Sequence, residues 1–202
     1  MPTKTFLNLP KEKRLKILRG AKKEFARVSV DRAVIANIAK ESGIPRGSFY
    51  QYFFSVSDLY MYLIEYLYEI EKKKFAEYLD EKNNDMFEAL KLKFKNQIEK
   101  LSKQEHKEFK INNYSFFLNN TLYSTEVLKY IIEKDIQLDE NMFPEEIKKS
   151  KNFDNVLSLV RGLNNYCVEK FITNSSNASD LIGYYNKNID YLKCSTLSCI
   201  SS

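Results

Sequence analysis

The chain has 202 residues, with 32 Lys and Arg against 27 Asp and Glu, a net charge of +5, one histidine and three cysteines. No apolar run is long enough to span a bilayer and the opening Met-Pro-Thr-Lys begins no signal-peptide core, so a cytoplasmic protein without membrane contact is expected. The lone His106 and the odd, unpaired spacing of Cys167, Cys194 and Cys199 give no basis for a metal centre, a Ser-His-Asp triad or a disulfide framework, and no cofactor is expected.

The charge is unevenly placed. Residues 1–54 hold 12 basic and 4 acidic side chains, whereas the remainder holds 20 basic and 23 acidic. A basic N-terminal module on a mildly acidic body is the footprint of a nucleic-acid binder. Residues 1–8, with Lys4, read as a mobile arm. A helix is expected over residues 10–28, with Leu18, Ala21, Phe25 and Val28 as its apolar stripe and Lys16, Arg19, Lys22 and Lys23 pointing elsewhere. Ile35, Ile38 and Ala39 recur at helical spacing and predict a second, short helix. Gly43 stops it, because glycine takes a positive φ after a helix without a Cβ penalty. Pro45 suits the first position of a third helix, over residues 45–52, where its missing N–H would lack a partner in any case. Two helices joined by a tight glycine turn make a helix-turn-helix, whose second helix enters the DNA major groove.

The run Gly43-Ile44-Pro45-Arg46-Gly47-Ser48-Phe49-Tyr50-Gln51-Tyr52-Phe53, followed by Ser55 and Asp58-Leu59, resembles the DNA-reading signature of the TetR (tetracycline-repressor-like) family. The resemblance covers about the first quarter of the chain. It implies an all-α protein with a DNA-binding domain at residues 1–54, joined by a long fourth helix to a ligand-binding and dimerisation domain at 55–202. The implied DNA contacts are Ala33, Pro45, Arg46, Gly47, Ser48, Tyr50, Gln51 and Tyr52. Arg46 can pair with guanine or hold a phosphate, Ser48 can bond a base edge or a phosphate, and Gln51 can pair with adenine. Phe49 and Phe53 are expected to face the core. The chain departs from the family pattern twice. Val28-Ser29-Val30-Asp31-Arg32-Ala33 lacks the usual Thr cap, leaving Asp31 to cap the second helix, and Val56 replaces a frequent phosphate-binding Lys.

Ser55 and Asp58 form a capping box for the fourth helix, which carries Leu59, Leu63, Tyr66, Ile70, Phe75 and Leu79 to about Glu81. Asn83-Asn84-Asp85 is a break, with Asp85 capping a fifth helix marked by Met86, Leu90, Phe94, Ile98 and Leu101. Further helices are marked by Phe109, Tyr114, Phe117 and Leu118 and by Val127, Leu128, Ile131, Ile132 and Ile136. Residues 139–152 read as a loop with one helical turn, and the tail after Lys193 as poorly ordered. No alternating strand pattern and no internal repeat appear.

Two final helices carry the stripes Val156, Val160, Leu163, Cys167, Phe171 and Leu181, Ile182, Tyr185, Ile189, Leu192. By resemblance they form a four-helix bundle with a two-fold mate, and Val156, Val160, Leu163, Cys167, Ile182, Tyr185 and Ile189 are the expected homodimer contacts. The body's aromatics, Tyr62, Tyr66, Phe87, Phe94, Tyr114, Phe117, Tyr123 and Tyr166, are the candidates for lining a site for a small apolar effector. The expected function is a non-enzymatic transcriptional regulator, a repressor released from a palindromic operator by that effector. The competing reading is a non-specific architectural DNA-binding protein without ligand control.

Overall fold

The computed structural model describes residues 2–119, 140–143, 145–149 and 152–198. It is all-helical, with no strand among the described residues. In chain order the helices are α1 (Lys4–Leu7), α2 (Lys11–Arg27), α3 (Ile35–Ser42), α4 (Phe49–Tyr52), α5 (Val56–Glu81), α6 (Met86–Leu101), α7 (Gln104–Asn119), α8 (Glu145–Lys148), α9 (Phe153–Ile172) and α10 (Ala178–Ser198). Short 3-10 turns lie at Val30–Arg32, Arg46–Ser48 and Glu140–Met142. Residues 127–136, expected as a helix, and Tyr123 lie outside the described residues, as do the side chains of Tyr114 and Phe117.

The chain forms two compact units. In the first, described residues 2–68 and 103–119, the core gathers Phe6, Ile17, Leu18, Phe25, Ile38, Phe49, Phe53, Leu59, Tyr60 and Leu63. The unit therefore takes in the first part of α5 and all of α7, well past residue 54. Helix α7 docks on α2 through Asn112, whose side-chain amide donates to the Phe25 and Ala26 carbonyls at 3.3 and 2.6 Å. These are last-turn carbonyls of α2, which lack helical partners of their own. Ser55 caps α5 as expected, accepting from the Asp58 N–H, and Asp58 Oδ2 reaches back to the Phe54 N–H, one residue ahead of the cap.

The N-terminal residues are not a loose arm. Thr3 caps α1 by accepting from the Phe6 N–H, and Phe6 is fully buried against Tyr52, Phe53 and Tyr62. A buried phenylalanine whose ring partners Tyr52, Phe53 and Tyr62 all lie far along the chain leaves no local signal, which is why the segment reads as a frayed terminus in the sequence.

The second unit comprises residues 69–102 and the described residues from 140 onward. Asn83 and Asn84 both take positive φ at the break, and Asp85 caps α6 by accepting from the Phe87 and Glu88 N–H groups. Phe143 bridges Phe75 and Phe153 edge-on, and Phe94 stacks on Tyr185 at 3.9 Å. Helix α10 is tied to α6 by Lys91 to Asp190 and by Lys193 to Asp85. These ties fall along its C-terminal half, and the helix runs to Ser198 where a poorly ordered tail was expected after Lys193.

Candidate nucleic-acid interface

The helix-turn-helix is built on α2. Glu24, buried in that helix, accepts two hydrogen bonds from Arg27, one from the Val34 N–H at 2.9 Å and one from the Asn37 amide at 3.0 Å. Val34 and Asn37 belong to the start of α3, so a carboxylate borrowed from α2 caps α3 and sits at its positive end. The sequence assigned this task to Asp31. Asp31 instead lies exposed in the 3-10 turn, and α3 has no cap from its own flank. Burial pushes the Glu24 carboxyl up, but the Arg27 guanidinium and the Val34 and Asn37 donors outweigh it and hold the group below the ordinary glutamate range.

The turn follows from glycine. Gly43 adopts φ +62°, its N–H donates to the Lys40 carbonyl, and the Ile44 N–H reaches back to Ala39. This pair of bonds is a Schellman motif, and Ile44 and Ala39, which flank it, are both buried in the same core cluster. Gly20 sets how closely α2 meets α3: a Cβ there would lie 2.3 Å from Ser42 Oγ and 2.9 Å from the Ser42 backbone nitrogen. Sequence reasoning passed over Gly20, which looks like an ordinary helix residue with no turn or period to mark it.

Beyond the turn, Pro45 precedes the Arg46–Ser48 3-10 turn, which leads directly into α4. Phe49 and Phe53 are fully buried, as expected. Locked by these rings, the segment turns Pro45, Arg46, Gly47, Tyr50 and Gln51 outward, with Ser48 and Ala33 half-exposed. Tyr50 is 57% exposed and packs edge-on to Phe49. A Cβ on Gly47 would meet nothing within 4 Å, so the chain's own packing does not require glycine there. Tyr52 departs from expectation. It is 5% exposed, with its ring edge-on to Phe6, because it occupies the inward side of the helix one position before Phe53. Phe54, 77% exposed beside this surface, was not singled out from the sequence.

Of the effector candidates whose side chains are described, Tyr62 and Tyr66 belong to the first unit and Phe87, Phe94 and Tyr166 to the second. Tyr62 and Tyr66 pack against the core of the first unit, Tyr62 on Phe6 and Phe53. Phe94 is spent on Tyr185, Phe87 is half-buried, and Tyr166 is exposed on α9 against Tyr184.

The expected dimer contacts split by face. Val156, Val160, Cys167, Tyr185 and Ile189 are buried within the second unit, and Leu163 and Ile182 are half-buried. Burial pushes the Cys167 thiol up to about 11 and the Tyr185 hydroxyl higher still, so both behave as core groups. The outward side of the same helices carries Leu159, Tyr166, Tyr184 and Tyr191. The aliphatic stripe that marks each helix is the one its own unit consumes.

Residues 17–61 match the model of the bacterial regulatory proteins of the tetR family. The whole chain is similar to a TetR family transcriptional regulator from Chloroflexus aurantiacus J-10-FL, at 25% identity over 97% of this chain and 96% of that one, with a TM-score of 0.51. It is also similar to the fatty acid degradation regulator FadR from Bacillus halodurans (16% identity, 86% and 96% of the two chains, TM-score 0.66). A third neighbour is a TetR transcriptional regulator from Rhodococcus sp. RHA1 (13%, 90% and 95%, TM-score 0.57). No curated protein matches the chain.

Proposed function

We propose that this chain, a tetR-family transcriptional regulator, is a repressor that reads a palindromic operator as a homodimer through the exposed side of α4. The observation that carries the reading is the clearance around Gly47. Arg46, Tyr50 and Gln51 flank a residue whose missing side chain serves no internal contact, so backbone there is free to approach a groove. Arg46 supplies a guanidinium suited to a guanine edge or a phosphate, and Gln51 an amide suited to adenine. The fuller form of the reading rests on the family resemblance. A small apolar effector binds the helical body and favours a conformation in which the two recognition helices no longer stand about 34–36 Å apart, the spacing of successive major grooves. Operator affinity then falls by the effector's preference for that conformation.

The test is selection of preferred duplexes from a random pool by the full chain, followed by affinities for the selected and a random duplex at fixed salt. A sequence-specific regulator should recover an inverted repeat and bind it about a thousandfold or more tighter than random DNA. Uniform coating that modest salt removes would instead support an architectural protein. Arg46→Ala separates two roles. Loss of a guanine contact costs about 1–3 kcal/mol and relaxes one position of the site, whereas loss of a phosphate contact weakens binding to all sequences and lowers the salt slope by about one. An effector that leaves operator affinity unchanged at saturation would reject the release mechanism.

A further inference from the structure

The recognition segment is short: its regular part is the four residues Phe49–Tyr52, and its last carbonyls have few helical donors to meet. Phe53 supplies one by donating its N–H to the Phe49 carbonyl. The next donors come from the N-terminus of the chain. The Thr3 N–H donates to the Tyr52 carbonyl at 3.0 Å, and the Thr3 hydroxyl donates to the Gln51 carbonyl at 2.6 Å. Phe6 fixes the donor in place, fully buried with its ring 4.6 Å from Phe53, 5.3 Å from Tyr62 and 6.2 Å from Tyr52. Arg14 closes the segment onto α2 by donating to the Leu7 carbonyl at 3.0 Å. None of Thr3, Phe6 and Arg14 falls in the stretch matched by the family model, residues 17–61.

We propose that α1 is a strut of the DNA reader, in which Thr3 is a positioning residue that holds Gln51 and Tyr52 at the end of the recognition helix. The proposal rests on the DNA-reading function of α4 argued above. Gln51 is exposed, so its side chain is available to a base, while its own carbonyl is held from behind by Thr3. A four-residue helix with a loose last turn would let that side chain swing among rotamers and backbone tilts. Recognition of one base edge needs it in one place. Thr3 touches no DNA in this account; it acts through the backbone of the residues that do.

The substitutions are graded by what they remove. Thr3→Ser keeps both donors. Thr3→Val removes the hydroxyl and keeps the N–H. Thr3→Pro removes both, and the Thr3 φ of −73° suits the proline ring, so the chain path is preserved. Each full-length variant, carrying no added residues at its N-terminus, is measured against the duplex that the wild type selects and against a random duplex, with melting temperature recorded in parallel. The ratio of selected to random affinity should fall about tenfold in Thr3→Val and further in Thr3→Pro, and return to the wild-type value in Thr3→Ser. Repeat selection should show the lost preference at the base pair that Gln51 reads. Random-duplex affinity should scarcely move, while melting temperature should drop by about 2–4 °C in both Thr3→Val and Thr3→Pro, because each loses the hydroxyl that caps α1. A merely structural role predicts instead that both affinities fall together, with their ratio unchanged, and that pattern overturns the strut. So does a Thr3→Pro variant with wild-type selectivity. A wild-type protein that selects no sequence overturns the DNA-reading function itself, an outcome distinct from either.

Discussion

At the scale of single residues, Glu24 has the largest local task. Its carboxylate serves Arg27, the Val34 N–H and the Asn37 amide at once, and it joins α2 to the first turn of α3. Glu24→Gln keeps an acceptor but loses the charge, and should cost about 1–2 kcal/mol of stability at neutral pH by urea unfolding. The pH dependence has a definite sign. The folded-state value lies below the ordinary one, so the unfolded chain binds the proton more readily and the stabilisation is complete above the ordinary glutamate range. It is lost as pH falls through that range toward the depressed folded value. Unfolding midpoints measured from neutral pH into acid should therefore converge for wild type and Glu24→Gln; a constant gap down to the acid limit would show that the charge is not what stabilises. The sequence offered Asp31 for the cap because it precedes α3 closely, but the structure uses an acidic residue ten positions upstream of Val34. Capping by a residue of a neighbouring helix depends on how helices cross, and no local spacing encodes that.

At the scale of elements, the packing of α2 on α3 decides where the turn and α4 are placed. Gly20 permits it. Alanine normally gains up to about 1 kcal/mol over glycine inside a helix. Here its Cβ would press on Ser42, whose hydroxyl can rotate away but whose backbone nitrogen, 2.9 Å from the new atom, cannot. Gly20→Ala should therefore destabilise by about 1–3 kcal/mol net and weaken DNA binding beyond what the lost stability explains, since α3 must shift with Gly43 and α4 behind it. Gly47→Ala, with open space around the new Cβ, is the control and should leave the melting temperature unmoved. The elements themselves were largely legible. Gly43, the Ser55 cap and the Asn83-Asn84-Asp85 break each carry their signal within a few residues, and each sits where that signal puts it. What escaped was decided between distant segments: α1 anchored by Phe6, the inward turn of Tyr52 against it, and the Gly20 crossing.

At the scale of the whole molecule, the same distinction bears on assembly. Periodicity finds the most apolar stripe of a helix, and in α9 and α10 that stripe, from Val156 to Cys167 and at Tyr185 and Ile189, is consumed inside the unit. A partner must use what is left outside. On α9 the outward side carries Leu159 and Tyr166, with Gly162 between them; on α10 it carries Gly183, Tyr184 and Tyr191. The two sides adjoin, since the Tyr166 and Tyr184 rings lie 5.8 Å apart, and Cβ atoms on Gly162 and Gly183 would meet nothing within 4 Å. Tyrosine-rich helix faces relieved by glycine suit a closely approaching second helix pair, with the phenolic hydroxyls still able to reach water or polar partners. A two-fold dimer through this face also matches the symmetry of an inverted-repeat site. Charging it should separate the protomers without unfolding them. Leu159→Glu combined with Tyr191→Glu is expected to turn a dimer into a monomer in sedimentation experiments and to leave the helical signal and melting of the unit nearly intact. Affinity for a full inverted repeat should fall toward that for an isolated half-site. Val160→Ala, on the buried side, should instead cost about 1–3 kcal/mol of stability with the dimer retained. A double variant that stays dimeric would move the interface off this face, and one that melts early would show that Leu159 and Tyr191 belong to the core after all.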